Sequence, residues 1–272
     1  MTSTDLQPVL DESDALRLLR GGEFELEGRL VDASNTTLRG FLTLDGVTAR
    51  CVYKPIRGER PLWDFPDGTL AGREVGAYLV SRATGWDVVP PTVLRDGPFG
   101  PGACQLWIDE PEEVEALVGF VPAQSLPPRW FRIAGAVDDD GEEYALAHSD
   151  DPRLARLAVF DAVINNADRK GGHILVGRDD RLYGVDHGVC FHVEEKLRTV
   201  LWGWTGRQLP PDAVEVLGRL AAELNGGLGE ELSEHLTISE VAQVAARVAR
   251  LLADGRFPDP PSDWPAVPWP PV

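Results

Sequence analysis

The chain has 272 residues, 43% apolar and 26% charged, a length that allows one bilobal unit or two small domains. That composition excludes a disordered chain, and the absence of heptads or a self-similar period excludes coiled-coil and repeat architectures. With 26 basic against 44 acidic residues the formal charge is −18, a field that repels nucleic acid and anionic membrane surfaces.

No run approaches the ~18–20 apolar residues that a bilayer requires. The acidic start also lacks a basic region followed by an apolar run, so neither a membrane span nor a secretory signal is expected. Cys51, Cys104 and Cys190 are odd in number, far apart and set among apolar residues. Such a set fits a reducing compartment, and the sequence predicts a cytoplasmic protein.

In chain order, DALRLLR predicts a short helix within the first twenty residues. From Phe24, FELEGRLVD and LRGFLTLDG alternate apolar and polar residues around SNTT, the pattern of a β-hairpin. ARCVYKP predicts a third strand, and GERPLWDFPDG a loop. AGREVGAYLVSRATGW predicts a helix, with Val75, Tyr78, Leu79 and Ala83 on one face. Two strands, VVPPTVLRD and GACQLWID, follow.

After Asp109 the chain turns acidic and then reads as loop through SLPPRW. A helix is expected from Asp151, an N-cap with Pro152 at the first position, running until Gly171 and Gly172. HILVGRDDRLYGVDHG predicts a short hairpin around residues 177–181. Helices are expected at 211–225 and 239–253, before an extended, Pro-rich tail.

Four places hold charged residues where these elements converge. Lys54 is one of only three lysines, with Lys170 and Lys196, against twenty-three arginines. On a strand, a compact ammonium can reach a phosphate where a guanidinium fork does not fit; an edge lysine in water is the plainer alternative. Glu74 either complements its helix dipole or holds Lys54 toward a ligand. Asp168 and His173 lie in NNADRKGGH, and Asp186 follows the hairpin in VDHG. Asp168 and Asp186 are 18 residues apart, and two short strands bring the ends of that interval together. Two carboxylates beside a strand lysine form the arrangement that phosphoryl transfer requires: one orients the attacking hydroxyl, one holds a divalent metal, and the lysine steadies phosphates.

DAVINNADRKGGHILVGRDDRLYGVDHG resembles the catalytic and metal-binding loops of the phosphatidylinositol 3-/4-kinase superfamily, within the wider protein-kinase-like fold. AGREVGAYLVSRATGWDVVPPT, VYKP, GACQLWID and TVLWGW are similar, in that family's order, to segments of the type II phosphatidylinositol 4-kinases.

The resemblance implies an α+β, bilobal fold. A β-rich N-lobe would span 24–109 and a mainly helical C-lobe 110–255, between an N-terminal helical segment (1–23) and the tail (256–272). It implies ATP with Mg²⁺ or Mn²⁺ in the interlobe cleft, and transfer of the γ-phosphate to an alcohol. Lys54 would contact phosphates and pair with Glu74. Leu106, Trp107, Ile108 and Asp109 would form the hinge for adenine. Ser34, Asn35 and Thr36 would belong to the phosphate-covering turn. Asp168 would be the catalytic base, Asp186 the main metal ligand, and Asn166 and Arg169 part of the catalytic loop. His173 stands where the family has an Asn as second metal ligand. This predicts a shift toward Mn²⁺, a site with one dominant metal, or a nucleotide-binding pseudokinase that regulates a partner.

Several readings remain open. His173, His187, His192, Asp186 and Cys190 have zinc-ligand chemistry, although no common zinc spacing. Transfer of the adenylyl group requires only a reversed nucleotide. Trp202 and Trp204 either pack the large lobe or line a substrate groove. The acidic field favours a soluble acceptor, a protein Ser/Thr or an inositol-like polyol, over a phosphoinositide lipid, and predicts no nucleic-acid partner and no stable membrane association. Arg169, Lys170 and Lys196 are the candidates for binding a phosphorylated acceptor.

Overall fold

The computed structural model describes residues 7–30, 35–65 and 67–272. Helix α1 (Glu12–Gly21) is capped by the Asp11 carboxylate, which accepts from the Asp14 N–H, and it buries Ala15, Leu18 and Leu19. Strands β1 (Glu23–Arg29), β2 (Leu38–Leu44) and β3 (Val47–Pro55) form an antiparallel meander. Asp45 and Gly46 join β2 to β3 with φ of 51° and 80°, the left-handed pair that a two-residue hairpin turn demands. Alternation along β3 buries Ala49, Cys51, Tyr53 and Pro55. Lys54 therefore faces away from that core.

Helix α2 (Leu70–Thr84) is capped by Thr69 and ends at Gly85, φ 68°, before the expected Trp86. Strands β4 (Thr92–Gly97) and β5 (Gly100–Leu106) complete a five-stranded sheet of order β1-β2-β3-β5-β4. Val88–Pro91 is not strand, because two consecutive prolines offer no ladder N–H.

The segment after Asp109 corrects the expectation of a loop. It holds β6 (Val118–Pro122), β7 (Trp130–Val137) and β8 (Glu143–Ser149), a second antiparallel sheet of order β6-β8-β7. The central strand β8 buries Ala145 through His148 consecutively, so the period of two that betrays a half-buried strand is absent.

Helix α3 (Pro152–Ile164) starts at the Asp151 cap as expected, but Asn165 ends it in a left-handed conformation (φ 53°, ψ 55°), well before Gly171. Strands β9 (Ile174–Val176) and β10 (Leu182–Gly184) form the anticipated hairpin. Helices α4 (Pro211–Glu223), α5 (Gly227–Ser233) and α6 (Ile238–Asp254) follow. Short, glycine-rich α5 was not anticipated. Thr237 and Glu240 build a reciprocal capping box at the start of α6.

A small core joins α1 to the five-stranded sheet, and a larger one joins α2 to α3, α4, α5 and α6. The buried Arg73–Glu240 pair (2.6 Å) fastens α2 to α6. The tail packs as a strap: Ala266 O accepts from the Thr199 N–H (3.0 Å) and Trp202 Nε1 (2.7 Å), and Pro271 O from the Gly171 N–H (2.8 Å). Trp204 packs with Phe131, His148 and Phe257 and belongs to the large core. Among the described residues, no helix is long and apolar enough to cross a membrane.

Candidate active site

Lys54 leaves β3 toward α2, where its ammonium donates to Glu74 and to Asp186 Oδ1 (2.8 Å), just beyond β10. Glu74 is buried, and its other oxygen accepts from the His187 N–H (3.0 Å). One carboxylate thus joins β3, α2 and the loop after β10. Asp186 has φ 61°, a conformation costing a non-glycine residue roughly 1–3 kcal/mol. The bonds at Lys54 and His187 hold that turn in place.

Burial pulls the Lys54 pKa down, but Asp186 and Glu74 outweigh it, so the ammonium titrates above its ordinary value and stays charged. The same ammonium holds the Asp186 carboxyl far below the usual carboxylate range, against an opposing effect of burial. Burial raises the Glu74 pKa, and the lysine it shares with Asp186 pulls both carboxyls toward their ionised forms.

The loop after α3 is held by two asparagines. Asn165 donates to the carbonyls of His192 (3.0 Å) and Glu194 (2.6 Å) and accepts from the Lys196 N–H (2.9 Å). Asn166 donates to Asp161 Oδ1 (3.0 Å) and accepts from the Asp168 N–H (3.0 Å). The Asp168 carboxylate lies 3.3 Å from Lys170 Nζ and 3.4 Å from Arg198 Nη2. Burial raises its pKa against the pull of those two cations.

Arg169 does not reach the cleft. Its side chain is fully buried and all five N–H donors are used within the protein: on both Asp161 oxygens (2.8 and 2.9 Å), the carbonyls of His173 and Val185 (3.1 Å each) and His187 Nε2 (2.7 Å). Its side chain holds the loop in place and does not line the cavity. Since Nε2 accepts, the proton of His187 sits on Nδ1. Burial first, and Arg169 second, keep this ring neutral, its pKa well below the ordinary value. A Cβ at Gly184 would stand 2.9 Å from Arg169 Nη2, so the guanidinium needs glycine there.

His173 Nε2 lies 3.5 Å from Asp186 Oδ2, and its Nδ1 is buried without a partner. Burial lowers its pKa to about 4, so the ring is neutral near pH 7 and able to ligate. Among the described residues no three His, Cys, Asp or Glu side chains converge as a ready metal cluster. Asp186 and His173, with Asp168 nearby, fit an ion that completes its shell with water and phosphate oxygens, the habit of Mg²⁺ and Mn²⁺. They do not fit a closed zinc site, since His187 Nε2 faces Arg169 and His192 Nδ1 accepts from the Glu194 N–H (2.9 Å).

Lys54, Glu74, Asp168 and Asp186 line one cavity of about 180 Å³, together with Asn35, Thr36 and Thr37. Its size suits a phosphate group rather than a whole nucleotide. The Asn35 side chain is fixed by the Arg60 N–H (2.9 Å); Ser34 lies outside the described residues. Leu106, Trp107, Ile108 and Asp109 do not line this cavity. The Leu106 N–H donates to Pro91 O (2.9 Å), the Trp107 N–H to Arg50 O (3.1 Å), and Trp107 O accepts from Gln7 Nε2 (3.0 Å). The Asp109 carboxylate accepts from the Gln7 N–H (3.0 Å) and Arg50 Nη1 (3.2 Å). Among the described residues, the Ile108 peptide groups take no part in a hydrogen bond.

Sequence reasoning assigned no role to Gln7, Asp161, Asn165 or Arg198. Asp161 gave a signal: a carboxylate among the apolar residues of α3 requires a buried cation.

No protein-family model matches the chain. Protein Rv2133c of Mycobacterium tuberculosis (strain ATCC 25618 / H37Rv) is 48% identical over 265 residues, 94% of this chain and 95% of the relative. The crystal structure of the Golgi casein kinase with Mn/ADP bound superposes with a TM-score of 0.55 at 15% identity, over 89% of this chain and 75% of that one. Hydra Fam20 with sugar gives 0.53 at 13% identity, over 89% and 87%. At such identities the likeness is one of fold: α+β, bilobal and protein-kinase-like.

Proposed function

The chain belongs to the family of protein Rv2133c and has a protein-kinase-like fold, and from these we propose that it is an ATP-dependent phosphotransferase acting on an alcohol. The observation that carries the reading is the convergence of Lys54, Asp168 and Asp186 on one phosphate-sized cavity, with Glu74 anchoring the lysine.

On this reading Lys54 contacts the ATP phosphates while Glu74 fixes its direction. Asp168, its pKa raised by burial, orients the acceptor hydroxyl and takes its proton. Asp186 and His173 would hold a divalent metal, which would supply charge neutralisation to the phosphates. Ile108 would receive the adenine, and Asn35 and Thr36, which line the cavity, would meet the phosphates. Arg169 sets the loop geometry through Asp161. The finer likeness to type II phosphatidylinositol 4-kinases rests on sequence motifs, and the acidic chain favours a soluble acceptor, a protein Ser/Thr or a polyol such as an inositol, over a lipid.

One observation favours a second reading, a nucleotide-binding pseudokinase: His173 stands where the resemblance places Asn. Calorimetry with ATP and Mg²⁺ or Mn²⁺, beside a phosphate-transfer assay, separates the two. Asp186→Ala should abolish metal-dependent binding. Asp168→Asn should keep binding and lower transfer by about 10²–10⁴-fold. Binding without transfer in the wild type favours the pseudokinase, and no binding with either metal rejects both.

A further inference from the structure

A second and larger cavity, about 1740 Å³, shares no lining residue with the phosphate-sized one but is reached along the same stretches of chain. Glu59, Leu62, Gly188 and Val189 line the small cavity, and the same two chain segments continue into the large one as Trp63, Asp64, His192 and Glu194. Helix α6 and the tail segment 256–264 form its other walls. Asn165 ties the carbonyls of His192 and Glu194 to the loop that carries Asp168, three residues further on. The volume exceeds the roughly 300–1,000 Å³ of small-molecule sites and suits an extended segment.

The charges lining the groove are unbalanced. Lys196 pairs with Asp64 (3.0 Å), Arg73 with Glu240 (2.6 Å) and Arg250 with Glu195 (2.8 Å). Asp67, Glu194, Asp254, Asp259 and Asp263 have no ion-pair partner among the described residues, and Arg256, which bonds Gly206 O (2.7 Å), is the remaining cation. The wall already demonstrates how it receives a cation: Lys196 Nζ lies 4.7 Å from the Trp264 ring and 5.4 Å from Trp63, against Asp64. Trp63 is 87% exposed, leaving most of its ring free.

Two buried donors, Arg73 Nε and Trp264 Nε1, lack partners among the described residues, and both residues line the groove; Arg73 is only 2% exposed. Neither atom is accessible as it stands, so a carbonyl in the groove would satisfy them only where these side chains turn toward it. By contrast, Lys196 and Arg169, candidates for binding a phosphorylated acceptor, are already committed to Asp64 and Asp161.

We propose that this groove binds an extended, Lys/Arg-rich peptide segment and presents its Ser or Thr hydroxyl to Asp168. The presentation rests on the phosphotransferase reading, whereas the affinity for cationic peptide does not. In the transfer, the hydroxyl oxygen bonds to the γ-phosphorus of ATP and the bond to the β,γ-bridging oxygen breaks. ADP leaves with that electron pair, and the hydroxyl proton passes to Asp168.

The test uses fluorescein-labelled peptides of Arg-Gly-Ser repeats and of Glu-Gly-Ser repeats, with anisotropy read on the full chain at about 0.15 M salt. The arginine probe should bind and the glutamate probe should not. The triple variant Asp254→Asn, Asp259→Asn, Asp263→Asn should weaken binding about tenfold or more. The exposed triple Glu112→Gln, Glu113→Gln, Glu115→Gln removes the same formal charge elsewhere and should change it less than about twofold. All six positions are exposed, so unchanged melting curves confirm intact folding. No binding of the arginine probe, or equal losses in both triples, overturns the proposal. Groove-dependent binding with no phosphate incorporated from ATP and metal upholds the groove and overturns the phosphotransferase reading. Transfer to an Ala-Gly-Ser peptide as efficient as to the arginine probe overturns the groove and leaves that reading standing.

Discussion

Replacing Lys54 with methionine probes how the site is held together. Methionine keeps much of the aliphatic stem and removes the ammonium, leaving the buried Glu74 carboxylate with the His187 N–H as its remaining partner. Removing one partner of a fully buried pair costs about 3–5 kcal/mol. Lys54 keeps 24% side-chain exposure, so about 2–3 kcal/mol is expected here. The Asp186 side, with a carboxylate 53% exposed, adds little because water screens it. For a chain of this size the loss corresponds to about 5–10 °C in Tm. Its pH dependence has a definite sign. Burial already raises the Glu74 pKa, with Lys54 restraining it, and without the ammonium it rises further. A carboxyl whose folded pKa exceeds its unfolded value contributes stability at low pH that is lost as pH rises through the folded pKa. The deficit of Lys54→Met should therefore be smaller at about pH 5 than at about pH 8. Urea unfolding of the wild type, Lys54→Met and the double variant Lys54→Met, Glu74→Gln at both pH values measures it. The double variant should recover most of the loss at the higher pH. Equal deficits at both pH values, or a double variant no more stable than the single one, would refute the reasoning.

Arg169→Lys replaces five buried donors with three. At about 1–3 kcal/mol for each acceptor left unpaired, urea unfolding should show a loss of about 2–5 kcal/mol; a loss under about 1 kcal/mol contradicts the network. His173→Asn should raise the ratio of Mg²⁺-supported to Mn²⁺-supported transfer, because an amide oxygen is a harder ligand than imidazole; an unchanged ratio argues against His173 at the metal. His148 accepts from the Gly203 N–H (3.0 Å), and burial lowers its pKa to about 4. The neutral ring is favoured in the fold, so its contribution is complete above the unfolded value of about 6.5 and declines by about 3 kcal/mol as pH falls toward about 4. His148→Gln should flatten the stability–pH curve across that window, and an unchanged slope counts against it.

Much of the site was legible because it follows from short-range rules. The alternation of VTARCVYKP fixes Lys54 on the face opposite Cys51 and Tyr53, and the short hairpin between Asp168 and Asp186 helps bring both carboxylates to one cavity. What escaped depends on distant partners. Arg169 beside Asp168 reads as a cleft residue until Asp161, on the preceding helix, is seen to take its guanidinium. Gln7 closes the peptide groups around Trp107 from 100 residues away. The β6-β8-β7 sheet was hidden because its central strand is buried on consecutive residues, and the end of α3 because asparagine rather than glycine supplied the left-handed turn.

The two halves of the site differ in how they can respond to a ligand. The Asp161–Arg169–His187 network is fully buried and has no spare donors on the guanidinium, so the loop bearing Asp168 is fixed before anything binds. The Lys54–Asp186 contact is the soft one, since its carboxylate is half-exposed while Glu74 alone can retain the lysine. The formal charges also cancel: Glu74, Asp168 and Asp186 face Lys54, Lys170 and Arg198. On the phosphotransferase reading, an anionic nucleotide would meet no surplus formal positive charge there and would need a divalent cation to accompany it. On the same reading, Asp186 is the group free to exchange its ammonium partner for that cation, while Glu74 keeps Lys54 aimed at the phosphates.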